Sequence, residues 1–184
     1  MPSKKSKKET LNDQSSDSNS KMKPQVQKEL KITLNPDVKE KLIVLKEICR
    51  EVALHLKKGR VECVYQSAVC QELQMKGISY TSEETIPILY KGKYVGMERI
   101  DVALNSYLDF IYEFKAVASD IKPEHIWQLV SYLNHKGYSY GAVVNFNQSV
   151  NKGLEIQFIV KKDSVWYLWD LEKEEGEVLM EYTL

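Results

Sequence analysis

Glu113 and Lys115 are the only charges inside Phe110-Ile111-Tyr112-Glu113-Phe114-Lys115-Ala116-Val117, an otherwise apolar run. Such a run reads as a strand, and residues two apart on a strand point to one face. A carboxylate and an ammonium are therefore predicted to share one partly buried space. Burying an unpaired charge is costly, so the pair needs a reason. A structural ion pair on an edge strand supplies one and a metal site supplies another; these two residues alone do not separate them. Asp101, in Ile100-Asp101-Val102-Ala103-Leu104, favours the metal site. A hairpin turning at 105–109 brings residue 101 beside the 113–115 region, so that two carboxylates and an ammonium converge. Hard divalent cations such as Mg²⁺ bind through oxygen and keep several waters, which leaves open positions for a phosphate and an attacking water. That is the arrangement phosphodiester hydrolysis needs.

The surrounding pattern must position these groups. Asn35 can cap a helix and Pro36 suits its first turn; Val38, Leu42, Leu45, Cys49, Val52 and Leu56 then recur at helical spacing until Gly59. This stripe leaves a homodimer seam open, although one helix of this length more often packs on its own domain. A second helix is expected at 61–76, with Val61, Val64, Tyr65, Ala68 and Leu73 inward and Gly77 at its end. Strands follow at 80–90, 93–104 and 110–117, the first two joined at Lys91-Gly92. A helix at 121–136, a strand at 139–146 and a terminal hairpin at 154–162 and 165–171 complete the order α-α-β-β-β-α-β-β-β. That order predicts a mixed α/β (α+β) fold, a central mixed β-sheet flanked by helices, in a single domain over 36–184.

With 184 residues, 43% hydrophobic, there is room for one ordinary core. The 26 basic and 26 acidic side chains are unevenly placed. Residues 1–36 hold eight lysines against four acids, 37–171 balance, and the last thirteen are acidic, so net charge neither suggests nor excludes a polyanionic partner. Residues 1–30 form a lysine- and serine-rich segment with few aliphatics and are expected to be a disordered tail. Its lysines are a candidate nuclear address or loose nucleic-acid contact, solvated lysines being the commoner case. Nowhere do 18 apolar residues run together and no apolar stretch follows the first charges, so an intracellular, cytoplasmic or nuclear protein with no membrane partner is expected. Cys49, Cys63 and Cys70 are expected as core thiols, and no Cys or His spacing offers a zinc site. His55, His125 and His135 are left out of the site for want of partners at ligand spacing, while Trp166 and Trp169 are expected to cover the core edge rather than stack on bases.

The spacing Asp101 … Glu113-Phe114-Lys115 resembles the signature of the PD-(D/E)XK nuclease superfamily. Further segments extend the likeness. Gly59-Arg60-Val61-Glu62-Cys63-Val64-Tyr65 is similar to the motif that names the GxxExxY family, a branch of that superfamily. Ile86 to Gly92, Arg99-Ile100-Asp101, Glu113 to Val117, His125 to Leu129, Tyr132-Leu133 and Val144-Asn145-Phe146 follow the family's order over about residues 41–150.

The resemblance implies a restriction-endonuclease-like core and a Mg²⁺- or Mn²⁺-dependent nuclease, a hydrolase cleaving nucleic acid, with DNA the favoured substrate. Asp101 and Glu113 would hold the metal, Lys115 would orient the attacking water, and Glu62 would complete the metal site directly or through water. Gln128 and Tyr132 resemble the Gln-x-x-x-Tyr motif of RecB-like nucleases and would sit on one helical face toward the substrate, Gln128 among the catalytic set. Ile100 stands where the superfamily name has proline, and Asn147 where the family usually has glycine; neither change removes a ligand. Each residue also has a bland role: Glu62 as a solvated helix acid, Tyr65 as core packing, Gln128 and Tyr132 as caps of buried backbone. The alternative function is a non-catalytic nucleic-acid or protein-binding module on the same fold, or an assembly protein in which Asp101, Glu113 and Lys115 form a buried ion network.

Overall fold

In the computed structural model, which describes residues 33–180, the chain begins with helices α1 (Pro36–Leu56) and α2 (Glu62–Met75). The lysine-rich segment at 1–30 lies outside the described residues. Asn35 accepts the Asp37 N–H at 2.9 Å and Pro36 occupies the first turn, as the sequence predicts. The helix buries Leu42, Leu45, Ile48, Cys49 and Val52, and ends where Lys57 takes a left-handed φ of 53°. Helix α2 is rotated from the expected setting. It buries Tyr65, Gln66, Val69, Cys70 and Leu73, while Val61 and Val64 face solvent. Glu62 and Gln66, one turn apart, turn toward the sheet on one row of the helix, and the two valines are left outside. Cys49 and Cys70 are buried but Cys63, on the outer side of α2, is exposed, so only two of the three cysteines are core thiols.

Among the described residues seven strands form one sheet in chain order: β1 (Tyr80–Tyr90), β2 (Lys93–Leu104), β3 (Phe110–Lys115), β4 (Tyr140–Phe146), β5 (Leu154–Lys162), β6 (Val165–Asp170) and β7 (Glu175–Met180). Every neighbouring pair is antiparallel except β3 and β4, which run parallel. A parallel pair needs a crossover, and α3 (Pro123–Lys136) provides it. Strand β3 is consequently interior to the sheet, not at the edge where an exposed ion pair would be cheap. The seventh strand is an addition to the expected order, because the acidic run from Glu172 carries no strand pattern until β6 offers it a ladder, with Trp169 opposite Gly176 and Asp170 opposite Glu175.

Alternation along β3 divides the core. Phe110, Tyr112 and Phe114 pack with α1 and α2, and the Tyr112 hydroxyl donates to the Leu45 carbonyl at 2.8 Å. Ile111 packs on the other face with Ile126, Leu129, Val130 and Leu133 of α3. A side chain at Gly141 of β4 would lie 3.0 Å from the Ile111 carbonyl oxygen and 3.1 Å from Leu129, so this glycine lets α3 lie close to the sheet. Trp166 and Trp169 are buried, in keeping with a packing role. Among the described residues no helix is long and apolar enough to cross a membrane.

Candidate active site

The site begins where β2 and β3 separate. They pair at Val102 with Tyr112, Ala103 with Ile111 and Leu104 with Phe110, and the ladder stops one step short of Asp101 and Glu113. The side chain of Asp101 takes over the missing role, its Oδ2 accepting the Phe114 N–H at 2.8 Å. Its backbone carbonyl accepts from Gln66 Nε2 at 3.1 Å. Across β1 the register holds but the pairing skips one step: Ser82 pairs with Val102 and Glu84 with Ile100, while Glu83 between them, opposite Asp101, has a φ of 58°. Its carboxylate accepts from Gln66 at 2.5 Å and pairs with Arg99 at 2.5 Å. Asp101 is thus fixed at both its backbone and its side chain before any ligand arrives.

Glu113 is 2% exposed and Asp101 7%. Glu113 Oε1 accepts from Lys115 Nζ at 2.5 Å, whereas Oε2 is buried and has no hydrogen-bond partner. Burial first, and then the charge of Asp101, raise the Glu113 carboxyl from 4.5 to about 7 against the opposing pull of Lys115. Burial also raises Asp101, against the Phe114 N–H and Lys115. Glu62, at the first turn of α2, is raised by burial and by Asp101, and drawn down by Lys115 and the Ala116 N–H. The three carboxylates therefore share one electrostatic environment with one lysine.

From the opposite face of the sheet, α3 contributes Gln128 and Tyr132. Gln128 Nε2 donates to the Tyr132 hydroxyl at 2.8 Å. Burial, together with the charges of Glu113, Glu98 and Asp101, pushes the Tyr132 phenol up to about 12, so it keeps its proton at neutral pH. The fork between β2 and β3 accordingly receives Glu62 from one face and Tyr132 from the other. Tyr65 does not join it: its ring stacks on Phe146 at 4.3 Å and its hydroxyl donates to the Lys57 carbonyl.

A family model for the PD-(D/E)XK nuclease superfamily matches residues 39–157. The chain belongs to the PD-(D/E)XK nuclease superfamily. No curated protein and no solved structure matches it. The superfamily match spans Glu62, Asp101, Glu113, Lys115, Gln128 and Tyr132 and ends within β5, leaving β6 and β7 outside it.

Among the described residues no three Asp, Glu, His or Cys side chains close into a ready-made cation cage. The donors present nevertheless suit a Mg²⁺-type ion. Such an ion uses one or two carboxylates and retains waters, and the unbonded Glu113 Oε2 is a buried oxygen left without a positive partner. Sequence reasoning missed Gln66, Glu83 and Arg99. Gln66 carried a weak signal, as a polar residue one turn after Glu62, but a left-handed Glu83 within a strand leaves no trace in residue type. It also left out His125, whose Nδ1 accepts the Lys122 N–H and whose pKa is lowered by burial and by the charge of Lys115.

Proposed function

We propose that this PD-(D/E)XK protein, of the GxxExxY branch, is a Mg²⁺- or Mn²⁺-dependent nuclease that hydrolyses phosphodiester bonds in DNA. The observation that carries the reading is Glu113: a carboxylate buried in the middle of a sheet, one oxygen held by Lys115, the other unbonded, beside a second buried carboxylate. Asp101 and Glu113 hold the cation, with Glu62 reaching the same site from α2. When bound, such a cation offsets phosphate charge and makes water more acidic. With Glu113 holding the cation, the Lys115 ammonium would be free to orient the attacking water and to offset the negative charge that develops on the phosphoryl oxygens. Tyr132, kept protonated, and Gln128 supply neutral donors on the α3 side for the substrate backbone.

The short Lys115–Glu113 contact also suits a purely structural ion network. A thermal melt of wild type and Asp101→Asn, each in EDTA and in excess Mn²⁺, separates the two. A nuclease site predicts that Mn²⁺ stabilises wild type alone, and that Asp101→Asn in EDTA is as stable as wild type or more so. A large loss in EDTA with a metal-indifferent wild type rules out the proposed site. Direct assay uses labelled single-stranded, duplex and branched DNA and RNA with Mn²⁺ or EDTA; cleavage that persists in EDTA places the chemistry elsewhere.

A further inference from the structure

The β1–β2 ribbon carries Asp101 at its root, and its far end runs well past the end of the β2–β3 ladder. Among the described residues strand β1 is the edge of the sheet and β2 pairs with β3 only over Val102–Leu104, so the ribbon from Glu84 to Ile100 has no described strand neighbour beyond itself. Its root is fixed: Ile86 and Ile100 are buried with α3, and Lys136 of α3 pairs with Glu84 at 2.7 Å. Past Ile86 the character changes. Leu89, Tyr90, Tyr94, Val95 and Met97 are 59–64% exposed, on both faces of the ribbon: Leu89 opposes Tyr94 on one, and Tyr90 opposes Lys93 on the other. The turn is well defined, with Lys91 and Gly92 both left-handed at φ 51° and 75°.

Charge identifies what covers this surface. Between Glu84 and Glu98 there is no acid, while Lys91 and Lys93 flank the tip and Arg99 follows toward Asp101. Two copies of such a tip would bring like charges together; a polyanion meets two lysines at the tip and no acid between Glu84 and Glu98. The shape narrows the choice further, since the major groove of B-form DNA admits a two-stranded ribbon and the deep, narrow major groove of A-form RNA does not. We infer that residues 87–97 form a duplex-DNA-binding arm that enters the major groove, its lysines on phosphates and its tyrosine and aliphatic side chains against base edges and thymine methyls. This rests on the nucleic-acid reading of the site and names duplex DNA as the substrate.

The test is fluorescence anisotropy of the full chain in EDTA with a labelled DNA duplex, one of its single strands and an RNA duplex of the same sequence. Wild type is expected to bind the DNA duplex tightest. Lys91→Ala with Lys93→Ala should weaken that binding about tenfold at low salt and reduce the log–log salt slope by about 2. Tyr90→Ala with Tyr94→Ala should weaken it at unchanged slope. Folding is checked by unaltered thermal melts, as all four side chains are exposed. Unchanged duplex affinity in both variants, equal binding of the three probes, or no binding to any of them overturns the arm. So does sedimentation in which the variants dissociate a dimer while DNA affinity is unchanged, which assigns the ribbon to a second copy. Arm-dependent duplex binding without Mn²⁺-dependent cleavage keeps the arm and removes the nuclease; cleavage with arm-independent binding does the reverse.

Discussion

Lys115 and Asn145 are partners across the parallel β3–β4 pair, and each belongs to a buried polar cluster of a different kind. On the β4 side, Asn145 and Asn147 are almost wholly buried, and each is hydrogen-bonded at both its amide oxygen and its amide nitrogen. Asn145 accepts the Val117 N–H and donates to the Ser119 carbonyl; Asn147 donates to the same carbonyl and accepts the Ser149 N–H. On the β2–β3 side, Asp101 and Glu113 are equally buried but carry negative charge that burial and mutual repulsion make costly, and one Glu113 oxygen has no partner. Buried neutral amides bonded at both oxygen and nitrogen hold a loop in place. Buried carboxylates left short of positive charge are an arrangement that a bound cation relieves, which stability alone gives no reason to keep.

Activity should show the greatest contrast. Asp101→Asn, Glu113→Gln and Lys115→Ala are each expected to lower cleavage about 10²-fold or more while the folded state persists, as judged by circular dichroism. Retained activity in all three moves the chemistry away from the fork. Asn145→Ala should instead act through folding.

Stability against pH tests the acidic cluster alone. Glu113 is raised to about 7 from 4.5, so protonation favours the fold: its contribution is fully present below 4.5 and is lost as pH rises through about 7. For metal-free protein this amounts to roughly 3 kcal/mol less stability at high pH. The lowered pKa of His125 acts in the opposite sense at low pH, so the measurement is the difference between urea titrations of wild type and Glu113→Gln. A difference that does not change with pH shows that the carboxyl is not destabilised by burial.

Asn145→Ala removes the acceptor for Val117 N–H and one donor to Ser119, and should cost about 2 kcal/mol in a urea titration, independent of pH and of Mn²⁺. An Mn²⁺-dependent loss would merge the two clusters into one. The smallest effect is expected at Tyr132. Tyr132→Phe removes a hydroxyl that accepts from Gln128, costing about 1 kcal/mol, and should raise KM more than it lowers kcat if the phenol contacts substrate. An unchanged KM makes Tyr132 a packing residue.

Several features were legible because they are local. The Asn35-Pro36 start of α1, the Lys91-Gly92 turn, the αL residue Gly137 closing α3 and the period-two placement of Glu113 and Lys115 follow from backbone conformational preference and side-chain direction. The rotation of α2 was not legible, because apolar residues at 61, 64, 65, 68, 69 and 73 permit more than one inward face, and the sheet chose the one that turns Gln66 inward. Strand β7 was not legible either: Glu172 to Glu177 favour solvent, and only an open edge on β6 pairs that backbone.

Residue type and spacing pointed to the heart of the candidate site, two carboxylates and a lysine on neighbouring strands, and the resemblance to the nuclease superfamily added an acid at the start of α2 and a glutamine–tyrosine pair on α3. The tertiary structure decided that these groups meet at a fork. The β2–β3 ladder stops before Asp101, a left-handed Glu83 leaves Asp101 unpaired across β1 without shifting the register, and the side chain of Asp101 accepts the Phe114 N–H in place of a strand carbonyl. It also decided that Glu113 keeps an unbonded oxygen. Whether a buried charge is satisfied depends on every element packed around it, and these come from segments far apart in the chain, whereas a turn or a cap depends on its few neighbours.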